Sequence, residues 1–157
     1  MKPKQSYAVA GTNAHRVDGI EKVTGKAVYT TDLQLPGMAH ARILRSPVAH
    51  AQLVKVDASK PKAFPGVIAT LTPDDIQAFN YKYGATYKDQ SIVAVDKVRY
   101  VGDPVAAVLA DDPATAEAAL ELIEVEYEEL PKVTNLEEAT AQGGALVHEA
   151  GVARAEL

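Results

Sequence analysis

The clearest pattern of hydrophobic and polar positions lies between residues 96 and 131. Residues 105–110 are continuously apolar, which predicts a central strand that is covered on both faces. Asp112 followed by Pro113 is typical of a helix start, because the carboxylate caps the first turn and proline fits its first position. Residues 123–128 alternate apolar residues with glutamates, as in a strand with one solvated face. The intervening helix is expected to bury one apolar stripe, formed by Ala116, Ala119, Leu120 and Ile123.

The order of strand, helix and strand in this region predicts a βαβ crossover, which is right-handed when its strands are parallel. Residues 60–64 predict one helical turn, residues 72–75 the capped start of a short helix, and residues 136–141 a last short helix. Residues 50–57 alternate in a way that leaves both faces at least half buried. Including that segment, β-branched and apolar residues predict further strands at 27–31, 39–44, 50–57, 67–71 and 97–101.

Composition limits the class of protein. With 157 residues, the chain is long enough for one domain with a well-buried core. The formal net charge of -5 argues against nucleic acid or an anionic membrane surface as the main partner. No apolar run is long enough to span a bilayer and the first residues lack the apolar segment of a secretory signal, so we expect a cytoplasmic chain. Cysteine is absent, which excludes disulfides, a thiolate nucleophile and cysteine-ligated zinc or iron–sulfur sites.

The sequence contains no pattern of reactive residues that predicts an active site. A dinucleotide-binding Gly-x-Gly-x-x-Gly, a phosphate-binding Gly-Lys-Ser/Thr loop and a hydrolase Gly-x-Ser-x-Gly are all missing. Carboxylates between residues 111 and 138 could do acid–base chemistry if they were buried, yet their spacing favours a solvated outer face. Metal-ligand spacing is also absent from the histidines, for which we expect solvated or hydrogen-bonded roles: His15, His40, His50 and His148.

Two polar loops remain as candidate binding regions. The turn Gly102-Asp103-Pro104 lies at the mouth of the buried strand, where loops often carry function. An aspartate before proline is also a common structural turn former, and that is the role we favour for Asp103. Residues 80–89 are polar, and their tyrosines could line a binding surface. We favour the simpler interpretation that these rings pack the loop onto the domain: Tyr81, Tyr83 and Tyr87.

Several short motifs, in one order along the chain, resemble a known enzyme family. They cover roughly residues 16–148 and resemble the opening of the molybdenum-binding subunit of the xanthine dehydrogenase and aldehyde oxidase family. The Gly-Asp-Pro form of the turn is similar to that of 4-hydroxybenzoyl-CoA reductases. The motifs are RVDG at 16–19, KVTGKAVY at 22–29, PGM at 36–38, ILRSP at 43–47, AHA at 49–51, PGV at 65–67, DKVRYVGDPVAA at 96–107 and VEYEELP at 125–131.

The resemblance implies a fold and a domain organisation. The implied fold is the α/β hammerhead, an α+β domain in which short helices pack on a mixed sheet. We expect an N-terminal arm at residues 1–15 and the hammerhead domain at residues 16–149. Residues 150–157 are expected to be a truncated tail that leads towards molybdenum-binding domains absent from this chain.

The resemblance also implies the chemistry of a larger oxidoreductase. That chemistry is oxidation or reduction at a molybdenum–pterin centre, with electrons passing through 2Fe–2S clusters to FAD. In the family, the residues at molybdenum lie in the domains that follow the hammerhead. We therefore expect no catalytic, cofactor-binding or metal-binding residue in this chain, which alone should be inactive. Its expected partners are the remaining molybdenum-binding domains and the iron–sulfur and flavin subunits or domains.

Two alternatives stay open at this point. The chain is either a fragment of such a large subunit or a separate subunit that assembles with the rest, and we favour the fragment. The alternative function is a stand-alone protein-interaction module with the same fold and no redox role. A domain that belongs to a larger body should expose an apolar patch of more than a few hundred Å². Residues 50–57 are the expected source of that patch.

Overall fold

The computed structural model describes residues 9–11, 13, 15–79, 82–85, 88–141, 143 and 145–148. The chain divides into two compact units, residues 1–36 and residues 37–157. The first unit contains helix α1 (Gly19–Val23) and a 3-10 turn (Thr30–Asp32), and none of its described residues is buried. The strand predicted at 27–31 is wrong. The Asp32 carboxylate accepts a hydrogen bond from the backbone N–H of Tyr29 at 2.9 Å, and this local bond replaces strand pairing.

The second unit contains the remaining described elements. Most of the predicted strands and short helices are confirmed, with boundaries that shift by one or two residues. Its helices are α2 (Ser59–Lys62), α3 (Pro73–Gln77), α4 (Pro113–Leu120) and α5 (Leu136–Thr140). Its strands are β1 (His40–Arg45), β2 (Ala51–Asp57), β3 (Val67–Leu71), β4 (Lys97–Val98), β5 (Pro104–Ala110) and β6 (Glu124–Glu129). Among the described residues, no helix is long and apolar enough to cross a membrane.

The strands form two antiparallel sheets rather than one mixed sheet, with the orders β1-β5-β3 and β4-β2-β6. The expected α+β class is confirmed, but the predicted βαβ crossover is wrong. Strand β5 has β1 on one edge and β3 on the other, so the strand after α4 cannot join that sheet beside β5. It pairs instead with β2 in the second sheet. The continuous apolar run thus becomes a central strand, as predicted.

Helix α4 covers one face of the first sheet. Its start is the predicted one, because the Asp112 carboxylate accepts hydrogen bonds from the backbone N–H groups of Ala114 at 2.9 Å and Thr115 at 3.0 Å. The predicted stripe is also confirmed: Ala116 and Ala119 are fully buried. Beneath the helix, the core cluster contains Ala106, Val108, Ala119 and Ile123. The second sheet contributes to a neighbouring core cluster formed by Ala51, Ala94, Val98 and Val105.

Two predictions about strand extent need correction. The strand predicted at 97–101 is only two residues long, because the backbone N–H of Asp103 bonds to the carbonyl of Tyr100 at 3.1 Å and turns the chain. Strand β2 was expected to be at least half buried on both faces. Instead, Val54 at its bulge and the flanking polar side chains are exposed, and Lys55 forms a surface ion pair with Asp57 at 3.2 Å.

Candidate functional site

The Gly-Asp-Pro turn is held against the end of β1 by hydrogen bonds to its backbone. The N–H of Gly102 donates to the carbonyl of Ser46 at 2.8 Å, and the N–H of Ser46 donates to the carbonyl of Asp103 at 2.8 Å. The Arg45 guanidinium donates to the carbonyl of Gly102 at 2.9 Å. Gly102 has a φ of 94°, which other residues rarely adopt, so glycine suits this turn. The chain thus enters β5 in a well-defined direction.

The Asp103 side chain forms a hydrogen bond within this turn. It accepts a hydrogen bond from the backbone N–H of Arg99 at 2.9 Å. Burial raises the pKa of Asp103, and the Arg99 N–H and guanidinium only partly offset this effect. The Arg99 side chain contacts both carboxylate oxygens of Asp96 at 3.2 Å and the carbonyl of Lys97 at 3.0 Å. These contacts support the interpretation of Asp103 as a structural turn former.

The turn lines a cleft of about 280 Å³. The cleft brings Asp103 together with two other residues from the sequence analysis, the loop tyrosine Tyr83 and His148. Tyr100 lies beside them, and burial together with the charge of Asp103 raises the pKa of its phenol. Tyr81 and Tyr87 lie outside the described residues. The cleft can therefore offer hydrogen bonds to a polar ligand or peptide, but its described residues do not gather a set of metal ligands.

The remaining candidate residues are dispersed. His50 is buried at the start of β2, where its Nδ1 lies 2.7 Å from the carbonyl oxygen of Pro131 and links β2 to the chain after β6. The exposed glutamates of α4 and β6 lie on outer faces, as predicted, and Glu124 forms an exposed ion pair with Lys60. Among the described residues, no three His, Cys, Asp or Glu side chains come close enough to hold a metal ion.

A feature that the sequence analysis missed is the uncovered face of the first sheet. Cross-strand pairing places Ala41 and Ala69 on either side of Leu109, and Ile43 and Leu71 on either side of Ala107. Each of these side chains is half-buried or exposed. We call this surface the open face: Ala41, Ile43, Ala69, Leu71, Ala107 and Leu109.

In the sequence, only the continuous apolar run of β5 indicates this surface. A continuously apolar strand implies two covered faces, whereas α4 and its neighbours cover only the Ala106 and Val108 side. The apolar patch was expected on residues 50–57, where the outer face is instead solvated. Locating the open face requires the strand order β1-β5-β3, which local periodicity does not provide.

Comparison with known proteins gives a consistent result. The sequence model of the family described as aldehyde oxidase and xanthine dehydrogenase, a/b hammerhead domain, matches residues 24–131. A probable xanthine dehydrogenase subunit from Bacillus subtilis (strain 168) is 44% identical over 136 residues. The xanthine dehydrogenase molybdenum-binding subunit of Escherichia coli O157:H7 is 38% identical over 145 residues.

Solved structures agree. The crystal structure of the Cu,Mo-CO dehydrogenase in its carbon monoxide reduced state matches with a TM-score of 0.79 and 38% identity. Each match covers 87% of this chain. The chain in turn spans 18% of the B. subtilis relative, 19% of the E. coli relative and 17% of the crystallised chain. It therefore corresponds to less than a fifth of these proteins.

Proposed function

The chain belongs to the hammerhead-domain family of aldehyde oxidases and xanthine dehydrogenases, and on that premise we propose that it is the N-terminal structural and assembly domain of a molybdenum hydroxylase-type oxidoreductase. The domain boundaries that we propose are residues 16–149, with residues 1–15 as an arm. The observation that carries the proposal is the family match over residues 24–131, combined with the small share of each relative that the chain spans.

The residues of this chain do not fit an iron–sulfur cluster. Iron–sulfur clusters are held mainly by cysteine thiolates, and the chain contains no cysteine. The described histidines and carboxylates do not converge into a metal-binding set. We propose that the catalytic, cofactor-binding and metal-binding residues lie outside this chain. The molybdenum–pterin group is proposed to lie in the remainder of the large subunit.

The proposed partners follow from the same premise. They are the remaining molybdenum-binding domains, together with iron–sulfur and flavin subunits or domains. The compartment that we propose is the cytoplasm, which is compatible with a chain that has no cysteine for disulfide cross-linking. The role of this chain is then structural, because it supplies a folded surface on which the catalytic part of the large subunit assembles.

Co-purification tests this proposal. The probe is the E. coli O157:H7 molybdenum-binding subunit lacking the 145-residue segment that matches this chain. Expressed together, the two proteins should elute as one complex in size-exclusion chromatography, and the isolated chain should contain no stoichiometric molybdenum by mass spectrometry. A chain that never associates with the shortened subunit, or that binds molybdenum stoichiometrically by itself, would contradict the proposal. A stable monomer without association would favour the stand-alone module.

A further inference from the structure

Strand β5 is apolar on both faces, but the described residues cover only one of them completely. Val108 on the covered face is 1% exposed and lies under Ala119 of α4. On the other face, Ala107 and Leu109 remain half-buried, and Ile43 of the neighbouring strand is 46% exposed. A central strand with this composition is normally covered on both sides. Among the described residues, the second face therefore lacks a covering layer.

The open face has a regular shape. One cross-strand row has the order Ala41, Leu109, Ala69, and the next has the order Ile43, Ala107, Leu71. Large and small side chains thus alternate in both directions. Because neighbouring strands are about 4.8 Å apart, the backbones that carry Ile43 and Leu71 lie roughly 10 Å from each other, with the smaller side chain of Ala107 between them. Such a surface suits an apolar partner with a projecting side chain.

The open face also differs chemically from the outer face of the second sheet. Neither of its two rows contains a charged or polar side chain. In the second sheet, by contrast, exposed Lys55 pairs with exposed Glu126, and Gln52 pairs with Glu128. Charged and polar side chains of this kind suit a face that meets water. Apolar rows such as those of the open face suit contact with protein.

We propose that the open face is the surface that binds the remaining part of the molybdenum-binding subunit, with an apolar side chain inserted above Ala107. This inference rests on the proposed function and adds to it the place of contact. The occupant is inferred from chain length, because the B. subtilis and E. coli relatives each have more than four-fifths of their chain outside the matched part. A body of that size can cover a three-stranded sheet face, as the second layer of the domain.

The test measures the affinity of single variants for the shortened E. coli subunit. Ile43→Glu and Ala69→Glu place a charge on the two edge strands of the open face. Val54→Glu is the matched control, because Val54 is also an exposed strand residue, at 58%, and lies in the other sheet. All three variants should retain the circular dichroism spectrum and melting temperature of the unmodified chain. Isothermal titration calorimetry then compares the dissociation constants.

Each open-face variant should bind at least about tenfold more weakly than the unmodified chain, and the control should stay within about twofold. If the unmodified chain binds and all variants bind equally well, the contact uses another surface; the proposed function then survives and this inference fails. If the unmodified chain does not bind at all, both fail. A third outcome is that the isolated chain associates with itself, does not bind the shortened subunit, and loses its self-association in the Ile43→Glu variant. The occupant is then a second copy of the chain, and the inference is overturned.

Discussion

The replacement of Val108 by alanine tests whether the packing of α4 on β5 stabilises the domain. Val108 is 1% exposed and belongs to the cluster with Ala106, Ala119 and Ile123. The substitution removes two methyl groups, which costs about 1.6 kcal/mol in lost burial, at about 0.8 kcal/mol each. The cavity left behind adds about 1 kcal/mol, so the free energy of unfolding should fall by about 2.5 kcal/mol. That is a large part of the roughly 5–15 kcal/mol typical of a domain.

Urea denaturation followed by far-UV circular dichroism measures this change, because the chain has no tryptophan to report on folding. The urea concentration at the midpoint should fall, while the slope of the free energy of unfolding against urea concentration should stay the same. Val54→Ala is the control, since Val54 is 58% exposed and the same truncation should cost less than about 0.5 kcal/mol. Equal losses at the two positions, or a loss below about 1 kcal/mol at Val108, would refute the assignment of the core.

Further predictions concern a turn, a buried hydroxyl and a half-buried carboxyl. Gly66→Ala should destabilise by about 1–3 kcal/mol in urea titrations, because Gly66 has a φ of +84° and the added Cβ would lie 3.0 Å from Thr115 Cγ2. Gly37→Ala should cost less, since its φ is +72° but nothing lies within 4 Å of the added atom. Thr70→Val should raise the free energy of unfolding by about 1 kcal/mol, because the buried Thr70 hydroxyl has no hydrogen-bond partner among the described residues. A fall in the free energy of unfolding would contradict this. Burial raises the pKa of Asp103, so ionisation above about pH 4 opposes folding. Asp103→Asn keeps an oxygen that can accept the hydrogen bond from the Arg99 N–H. The variant should therefore match or exceed wild-type stability at pH 7 and lose that advantage below about pH 4. The urea midpoints of both proteins, measured at the two pH values, test this.

Local signals in the sequence were sufficient for the elements around β5. Its continuous apolar run, the Asp112 cap and the α4 stripe each depend on residues close in the chain. The pairing of the strands depends on distant residues, which explains why the βαβ crossover was wrong. Only the strand order β1-β5-β3 shows that both edges of β5 are already paired.

The same reasoning applies to the candidate surfaces. The structural role of Asp103 could be predicted, because a Gly-Asp-Pro turn is formed by adjacent residues and its carboxylate bonds within the turn. The open face could not, since Ile43, Leu71 and Ala107 are separated along the chain and meet only in the folded sheet. The patch was expected on residues 50–57 because alternation does not show which face a second layer will cover.

The most direct test of the assembly role is a chimaera of the E. coli O157:H7 molybdenum-binding subunit in which this chain replaces the matched 145-residue segment. The measurement is molybdenum per mole of purified protein, with xanthine dehydrogenase activity as a second readout. The assembly role predicts that the chimaera retains molybdenum and activity close to those of the parent, while a large subunit that simply lacks the segment loses both. A shortened subunit that keeps full molybdenum and activity without any hammerhead domain would contradict it.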